Sequence, residues 1–218
     1  MVEIYDSHEQ SERVKNWLRE NGSAMAMGLI LAFGGLYGFK QWQTWQITKD
    51  QQASAEYHLM IDLLTAGNLD AAVANYEALK SEHAKTAYMP MAELHMAKAR
   101  IEAGQADLAM PMLERAMQQA ELEPIRIIAR ERLARVRLDQ GDVGGALELL
   151  EAVPENSGFD AQLSELRGDI AQQQGQPELA LEHYQSALES LDEGVGDRAY
   201  LQMKIDQLQA GTDGADEV

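Results

Sequence analysis

Residues 67–72 read GNLDAA, and the pattern returns as GQADLA at 104–109, GDVGGA at 141–146 and GQPELA at 175–180. Each hexapeptide opens on glycine and closes on alanine: Gly67 and Ala72, Gly104 and Ala109, Gly141 and Ala146, Gly175 and Ala180. The glycines follow one another at intervals of 37, 37 and 34 residues. Recurrence at that length marks a helical-hairpin array, in which no unit buries its apolar face alone and each stacks on the next.

The residue types say how such a hairpin is built. The glycine ends a first helix by taking the left-handed conformation of a C′ position. A polar residue follows and a second helix begins. The alanine stands where the two helices cross, since a larger side chain would hold them apart. Four residues on, the same face carries Tyr76, Leu113, Leu150 and Tyr184, and three further on Leu79, Ala116, Val153 and Ala187. Seven residues before their glycines stand Ala97, Ala134 and Gly168, small contact points for the first helices; Met60 departs from this in the first repeat. Ala53, Tyr57, Ile61 and Leu64 share one helical face, as do Ala129, Leu133 and Val136, and then Leu163, Leu166 and Ile170. Pro90, Pro124, Pro154 and Pro177 fall near expected helix boundaries, where proline costs least. An amphipathic helix over 198–209, through Leu201, Ile205 and Leu208, is placed to cap the open end. The Gly-x4-Ala spacing with an aromatic or Leu four residues later resembles the second half of the tetratricopeptide repeat. In the first half no repeat has its Trp, and only Gly168 supplies its small glycine.

Upstream of the array, residues 22–39 read GSAMAMGLILAFGGLYGF, eighteen residues without a charge. As a helix they span about 27 Å, close to the hydrocarbon thickness of a bilayer. The expected fold is therefore all-α: a single N-terminal transmembrane helix, then a tetratricopeptide-like solenoid with a C-terminal capping helix. Its divisions are a tail over 1–21, an anchor over 22–42, the array over 43–209 and a disordered acidic end over 210–218. The tail offers Ser11 as a helix cap, with Val14, Trp17 and Leu18 on one face. A cleavable signal peptide fits less well, because the apolar run is long and passes directly into Phe39-Lys40-Gln41-Trp42. Tyr37, Trp42 and Trp45 read as an interfacial aromatic belt, with Lys40 snorkelling. Arg13, Lys15 and Arg19 before the span outnumber Lys40 and Lys49 after it, which places the tail in the cytoplasm and the array outside. Ala24, Gly28 and Ala32 recur at four-residue spacing, and Gly34 and Gly38 form a GxxxG. Such small stripes either pack against another span or reflect the ordinary composition of membrane helices. No charge lies inside the span, so nothing points to ion or proton conduction.

Composition removes several function classes. The 218 residues carry a formal charge of −18, almost all of it beyond residue 40. Duplex nucleic acid and tight contact with anionic lipid both need clustered positive charge. There is no cysteine, hence no disulfide, thiolate metal site or thiol nucleophile. His8, His58, His83, His95 and His183 are scattered and form no HExxH, so no metal site is expected. GxxxxGK[ST], a GxGxxG after a strand and GxSxG are absent, so neither catalysis nor a cofactor is expected.

One basic cluster stands out in the acidic array: Arg126, Arg130, Arg132, Arg135 and Arg137 on the first helix of the third repeat. Arg132 and Arg135 share a face and are candidates for a partner's carboxylates in the groove of such arrays. The plainer reading pairs these arginines with Glu131, Asp139 and Glu165. Met89, Met91 and Met96 offer either an adaptable client surface or, more simply, core.

The whole chain resembles the ancillary SecYEG translocon subunit family of Gram-negative inner membranes. The resemblance rests on Glu3-Ile4-Tyr5, Val14-Lys15 and Glu20-Asn21-Gly22 entering the span, then Gly38-x3-Trp42, then the array ending near Met203-Lys204-Ile205. It implies a single-span inner-membrane protein with a periplasmic repeat domain, beside SecYEG and a membrane-anchored periplasmic prolyl-isomerase-like chaperone. Together these would hand exported client proteins to periplasmic chaperones. The resemblance also implies that the cytoplasmic tail restrains the response regulator of an envelope-stress phosphorelay. It carries no partner-binding residues over. The alternatives are a coordinator of envelope assembly or cell division, a self-associating anchor built on the GxxxG, and, least, an anchored enzyme. The division into anchor and array predicts that the chain lacking residues 1–45 is soluble and helical. An insoluble product, or a circular dichroism spectrum dominated by strand, would overturn it.

Overall fold

The computed structural model describes residues 7–154, 156–191 and 198–213. Among these residues there are helices and no strand. In order they are α1 (Ser7–Thr65), α2 (Leu69–Glu82), α3 (Tyr88–Glu102), α4 (Ala106–Gln119), α5 (Glu123–Asp139), α6 (Val143–Glu151), α7 (Asp160–Gln173), α8 (Pro177–Glu189) and α9 (Arg198–Asp213). The all-α expectation holds, with one N-terminal apolar helix. Glu3, Ile4 and Tyr5, and the acidic end from residue 214 on, lie outside the described residues. The closing helix runs on past 209 to Asp213.

The chain divides into two compact units between Gln52 and Ala53. In the first, α1 runs without a break through the glycines at 22, 28, 34, 35 and 38. It contains an 18-residue window of mean hydropathy 1.5 with no buried residue. Ile30, Leu31, Phe33 and Leu36 are exposed. By length and composition this segment suits a membrane crossing.

The second unit is the array. Its first hairpin pairs the last part of α1 with α2, and α3–α4, α5–α6 and α7–α8 repeat the form. Each repeat glycine has a positive φ, from 72° to 81°. At all four, two hydrogen bonds close the first helix. The Gly67 amide donates to Leu64 O at 3.0 Å and the Asn68 amide to Leu63 O at 2.9 Å, and the other three turns repeat this pair. This is the Schellman ending, which satisfies carbonyls the helix would otherwise leave open. Asn68 and Asp142 then cap α2 and α6 by accepting from the amides of Ala71 and Gly145. Gln105 and Gln176, at the same place, make no side-chain cap.

Ala72, Ala109, Ala146 and Ala180 have no exposed surface, and the bulky residues four positions on are buried against them. The core is a row of four clusters, each drawn from three consecutive helices. Met60, Tyr76 and Met89 belong to one, Ala97, Leu113 and Leu133 to the next. Ala134, Leu150 and Leu166 form the third, and Ala171, Tyr184 and Leu201 the last. Met89 and Met96 are core; Met91 is half-buried. Leu201 and Ile205 are buried, so α9 covers the end of α8 as expected.

Pro124 and Pro177 start helices, and Pro90 sits in the first turn of α3. Pro154 lies just past α6, which is only 9 residues long. Proline disfavours helical geometry at the residue before it, which stops α6 early. Pro111 is different: it stands inside α4, where the missing amide leaves the Asp107 carbonyl without its usual helical donor.

Between the first two repeats lies a polar tie. Glu93 on α3 is 1% exposed. Arg115 Nε on α4 donates to Glu93 Oε1 at 2.6 Å, and Arg115 Nη2 to the Tyr76 hydroxyl at 3.0 Å. That hydroxyl donates in turn to Glu93 Oε1 at 3.3 Å. Burial pushes the Glu93 carboxyl up, and Arg115 opposes it. Burial, then Glu93, pushes Tyr76 up to about 12.

Two outcomes follow from these contacts. A Cβ on Gly168 would overlap the ring of Tyr184. Gly168→Val should therefore lower stability by about 1–3 kcal/mol, whereas Gly144→Ala, with open space around its Cβ, should raise it by about 0.4–1 kcal/mol, read by urea denaturation. Arg115→Met leaves a buried carboxylate with the Tyr76 phenol as its hydrogen-bond donor and only the weaker influence of Lys80 to oppose burial. The folded pKa of Glu93, already above its ordinary 4.5, then rises further, so this group favours folding below 4.5 and disfavours it as pH climbs through the folded value. The variant should lose about 3 kcal/mol near pH 8 and clearly less near pH 4.5.

Candidate functional site

The first helices of the hairpins line one face of the array. α3 approaches α5, and α5 approaches α7, more closely than the second helices α4, α6 and α8 approach one another. The array therefore curls towards its first helices, and their free sides form its inner face.

Arg132 and Arg135 lie on that face, on α5. Arg132 Nη1 reaches back to α3 and donates to Leu94 O at 3.2 Å. Arg135 reaches forward. It pairs with Glu131 on its own helix and, on α7, with Glu165 at 3.8 Å and Asp169 at 3.7 Å. From α9, Lys204 Nζ joins the same carboxylates, 2.8 Å from Glu165 and 2.6 Å from Asp169. Tyr184 donates its hydroxyl to Asp169 Oδ1 at 2.7 Å from beneath. Burial opposes the charge on Arg135, but Glu131, Glu165 and Asp169 outweigh it and hold its pKa above the usual value. Lys204 is raised in the same way, burial being outweighed by Asp169 and Glu165. Burial and then Asp169 push the Tyr184 phenol well above its ordinary range. The result is a locked polar stitch across α5, α7 and α9.

Beside it opens a cleft of about 510 Å³, lined by Leu138, Asp139, Gln172, Tyr200, Met203 and Gln207. Tyr200 and Met203 are exposed there, one aromatic and one adaptable apolar side chain. Towards the other end, Tyr57 packs beside Tyr88 and His95, with ring centroids at 5.7 and 5.9 Å. Burial, then Arg132 and Lys98, hold the His95 imidazole below its usual pKa. A second hollow, about 600 Å³ and mostly apolar, lies between the turns that join repeats. Thr86, Pro90, Ala120, Leu122 and Ile125 line it.

The arginine cluster thus serves mainly the fold. Arg126 pairs with Glu123. Arg137 lies 3.6 Å from Glu114. Arg130 Nη1 donates to Ala152 O at 2.6 Å. Arg130 and Arg132 spend their bonds on carbonyls rather than carboxylates. The sequence pattern marks Tyr184 only as a bulky core residue; its hydroxyl contact with Asp169, and that of Asp169 with Lys204, join residues too far apart in the chain for any local pattern to pair them.

On the N-terminal unit, a Cβ at Gly28, Gly34 or Gly38 would meet nothing within 4 Å. Gly34 and Gly38 share a face, and at about 100° per residue Gly28 sits roughly 120° from Gly34 and roughly 80° from Gly38, so there are two small stripes. Tyr37, Trp42 and Trp45 are exposed, and Lys49 Nζ lies 4.2 Å from the Trp45 ring centre. The histidines are scattered in sequence, yet folding brings His83 beside Glu56 and Glu82, with a potential metal-ligating atom from each within 4.8 Å of the others.

Similarity to known proteins runs along the whole chain. Residues 15–210 match the tetratricopeptide repeat-like domain family. The ancillary SecYEG translocon subunit of Escherichia coli K12 is 28% identical over 208 residues, covering 95% of this chain and 99% of that one. The protein of the same name from Haemophilus influenzae is 33% identical over 102 residues, 47% of this chain; the match spans half of that protein's length. Among solved structures, MamA from Desulfovibrio magneticus RS-1 is similar at a TM-score of 0.55 and 18% identity, over 76% of this chain and 92% of that one. The Cut9–Hcn1 assembly contains a chain similar at a TM-score of 0.62 and 15% identity, over 84% of this chain and 34% of that one. These structures share the fold alone. The chain belongs to the tetratricopeptide repeat-like domain family, alongside the ancillary SecYEG translocon subunits that it resembles from tail to capping helix.

Proposed function

We propose that this chain is a non-catalytic adaptor at the SecYEG translocon of a Gram-negative inner membrane. In this reading residues 22–42 cross the membrane once, residues 1–21 stay in the cytoplasm and the array works in the periplasm. The array links exported proteins to periplasmic chaperones, a membrane-anchored prolyl-isomerase-like chaperone among them. The observation that carries the reading is the end-to-end similarity to the Escherichia coli translocon subunit, over 95% of this chain and 99% of that one. The inner face supports it. Its charges are held by neighbouring helices, which makes a stiff surface, and a preorganised surface costs little to bind. Arg132, the cleft beside Tyr200 and the ring cluster at Tyr57 give that surface distinct chemistry along its length.

The test is affinity purification from crosslinked inner membranes in mild detergent, with bound proteins identified by mass spectrometry. The Sec channel together with a periplasmic chaperone is the expected recovery. Arg132→Glu should lower recovery of the chaperone several-fold and leave the channel unchanged, because anchor and tail are intact. Division or wall-synthesis proteins without the channel would overturn the reading in favour of an envelope coordinator.

A further inference from the structure

We infer that Glu56, Glu82 and His83 form a binding site for one divalent transition-metal ion, of which Zn²⁺ is the best fit, clipping together the two helices of the first repeat. Glu56 lies on the last part of α1, within the array. Glu82 ends α2 and His83 is its C-cap. The three side chains bring potential ligand atoms within 4.8 Å of one another.

Four observations support a metal rather than a simple ion pair. First, His83 Nε2 and Glu56 Oε1 are 3.7 Å apart. That is too long for a hydrogen bond. It is close to the roughly 3.3 Å that separates two ligands on one tetrahedral zinc with bonds of about 2.0 Å. Second, the His83 side chain is 4% exposed, and Glu56 Oε2 is buried without a hydrogen-bond partner. Buried polar atoms left open are costly, so native folds nearly always satisfy them. A cation held between Glu56 and His83 Nε2 gives that carboxylate oxygen its partner. Third, the His83 backbone is fixed on both sides. Its amide donates to Leu79 O at 2.8 Å, and its carbonyl accepts from the Thr86 hydroxyl at 2.9 Å. The imidazole is thereby set in place before an ion arrives. Fourth, the site lies at the C-terminal end of α2, where the helix dipole favours positive charge.

The donor set selects the metal. One imidazole nitrogen and two carboxylates suit Zn²⁺, with water in the fourth position. Calcium prefers six to eight oxygens, and soft metals need the sulfur ligands this chain does not offer here. Glu82 is the exposed member of the group, Glu56 is half-buried and His83 buried.

The test uses the full chain, without a histidine tag, in mild detergent after metal stripping. Bound zinc is measured by mass spectrometry after dialysis against micromolar ZnCl₂, and thermal unfolding is followed by circular dichroism. About one Zn²⁺ per chain and a higher Tm are expected. Glu56→Gln and Glu82→Gln should each weaken zinc binding at least about tenfold and abolish the Tm shift, while both still fold. His83→Gln should abolish binding; if it fails to fold, the two glutamate variants carry the test. Unchanged zinc binding in Glu56→Gln, loss of zinc on His58→Gln instead, or no stoichiometric zinc in the parent chain would each overturn the assignment.

Discussion

The array depends on close helix crossings at Ala72, Ala109, Ala146 and Ala180. Each of these residues is fully buried at the crossing of a hairpin. A methyl is small enough for close approach and gives up no rotamer freedom when buried. The approach in turn sets where the next bulky side chain falls. In the first and fourth hairpins that side chain is a tyrosine, and its hydroxyl reaches beyond the apolar cluster to a carboxylate. The fourth hairpin makes room for the ring because Gly168, on the facing helix, has no Cβ to meet it. Apolar contact and polar tie thus come from one residue.

Because each cluster draws on three consecutive helices, stability passes along the array by nearest neighbours. The ends are where buried surface runs out, and each end has its own device. At the C-terminal end α9 supplies Leu201 and Ile205 to the core and Lys204 to the inner face. At the N-terminal end the first hairpin borrows its first helix from the same continuous α1 that carries the apolar run. The ring cluster of Tyr57, Tyr88 and His95 and the Glu56, Glu82 and His83 group lie there. The ring cluster ties the first repeat to the second, and the Glu56, Glu82 and His83 group brings the two helices of the first repeat together.

The inner face joins fold to function. Arg132 and Arg135 differ by less than one helical turn, yet they bond in opposite directions, one to α3 and the other to α7. Between them they tie three first helices. A face made of such ties is stiff, and stiffness lowers the ordering cost that a partner would otherwise meet. The exposed Tyr200 and Met203 beside the tie add apolar contact to a surface otherwise dominated by charge.

The sequence by itself determined the all-helical class, the four hairpins, their turns and their crossing points. Those features are local: a left-handed glycine, an alanine five residues later and a bulky residue four further on act within one hairpin. It also determined the apolar run at 22–39, which needs only length and composition to be recognised. It left Pro111 unread, because a neighbouring hairpin can hold a helix that propensity alone would break. Only the tertiary structure decided which charges meet. Arg135 finds Asp169 on the next first helix, Lys204 finds Glu165 across 39 positions, and His83 finds Glu56 from the far side of a hairpin. Such pairings depend on how far each helix is rotated and how the repeats curl, and both are set by the sum of many packed side chains rather than by any short stretch of sequence.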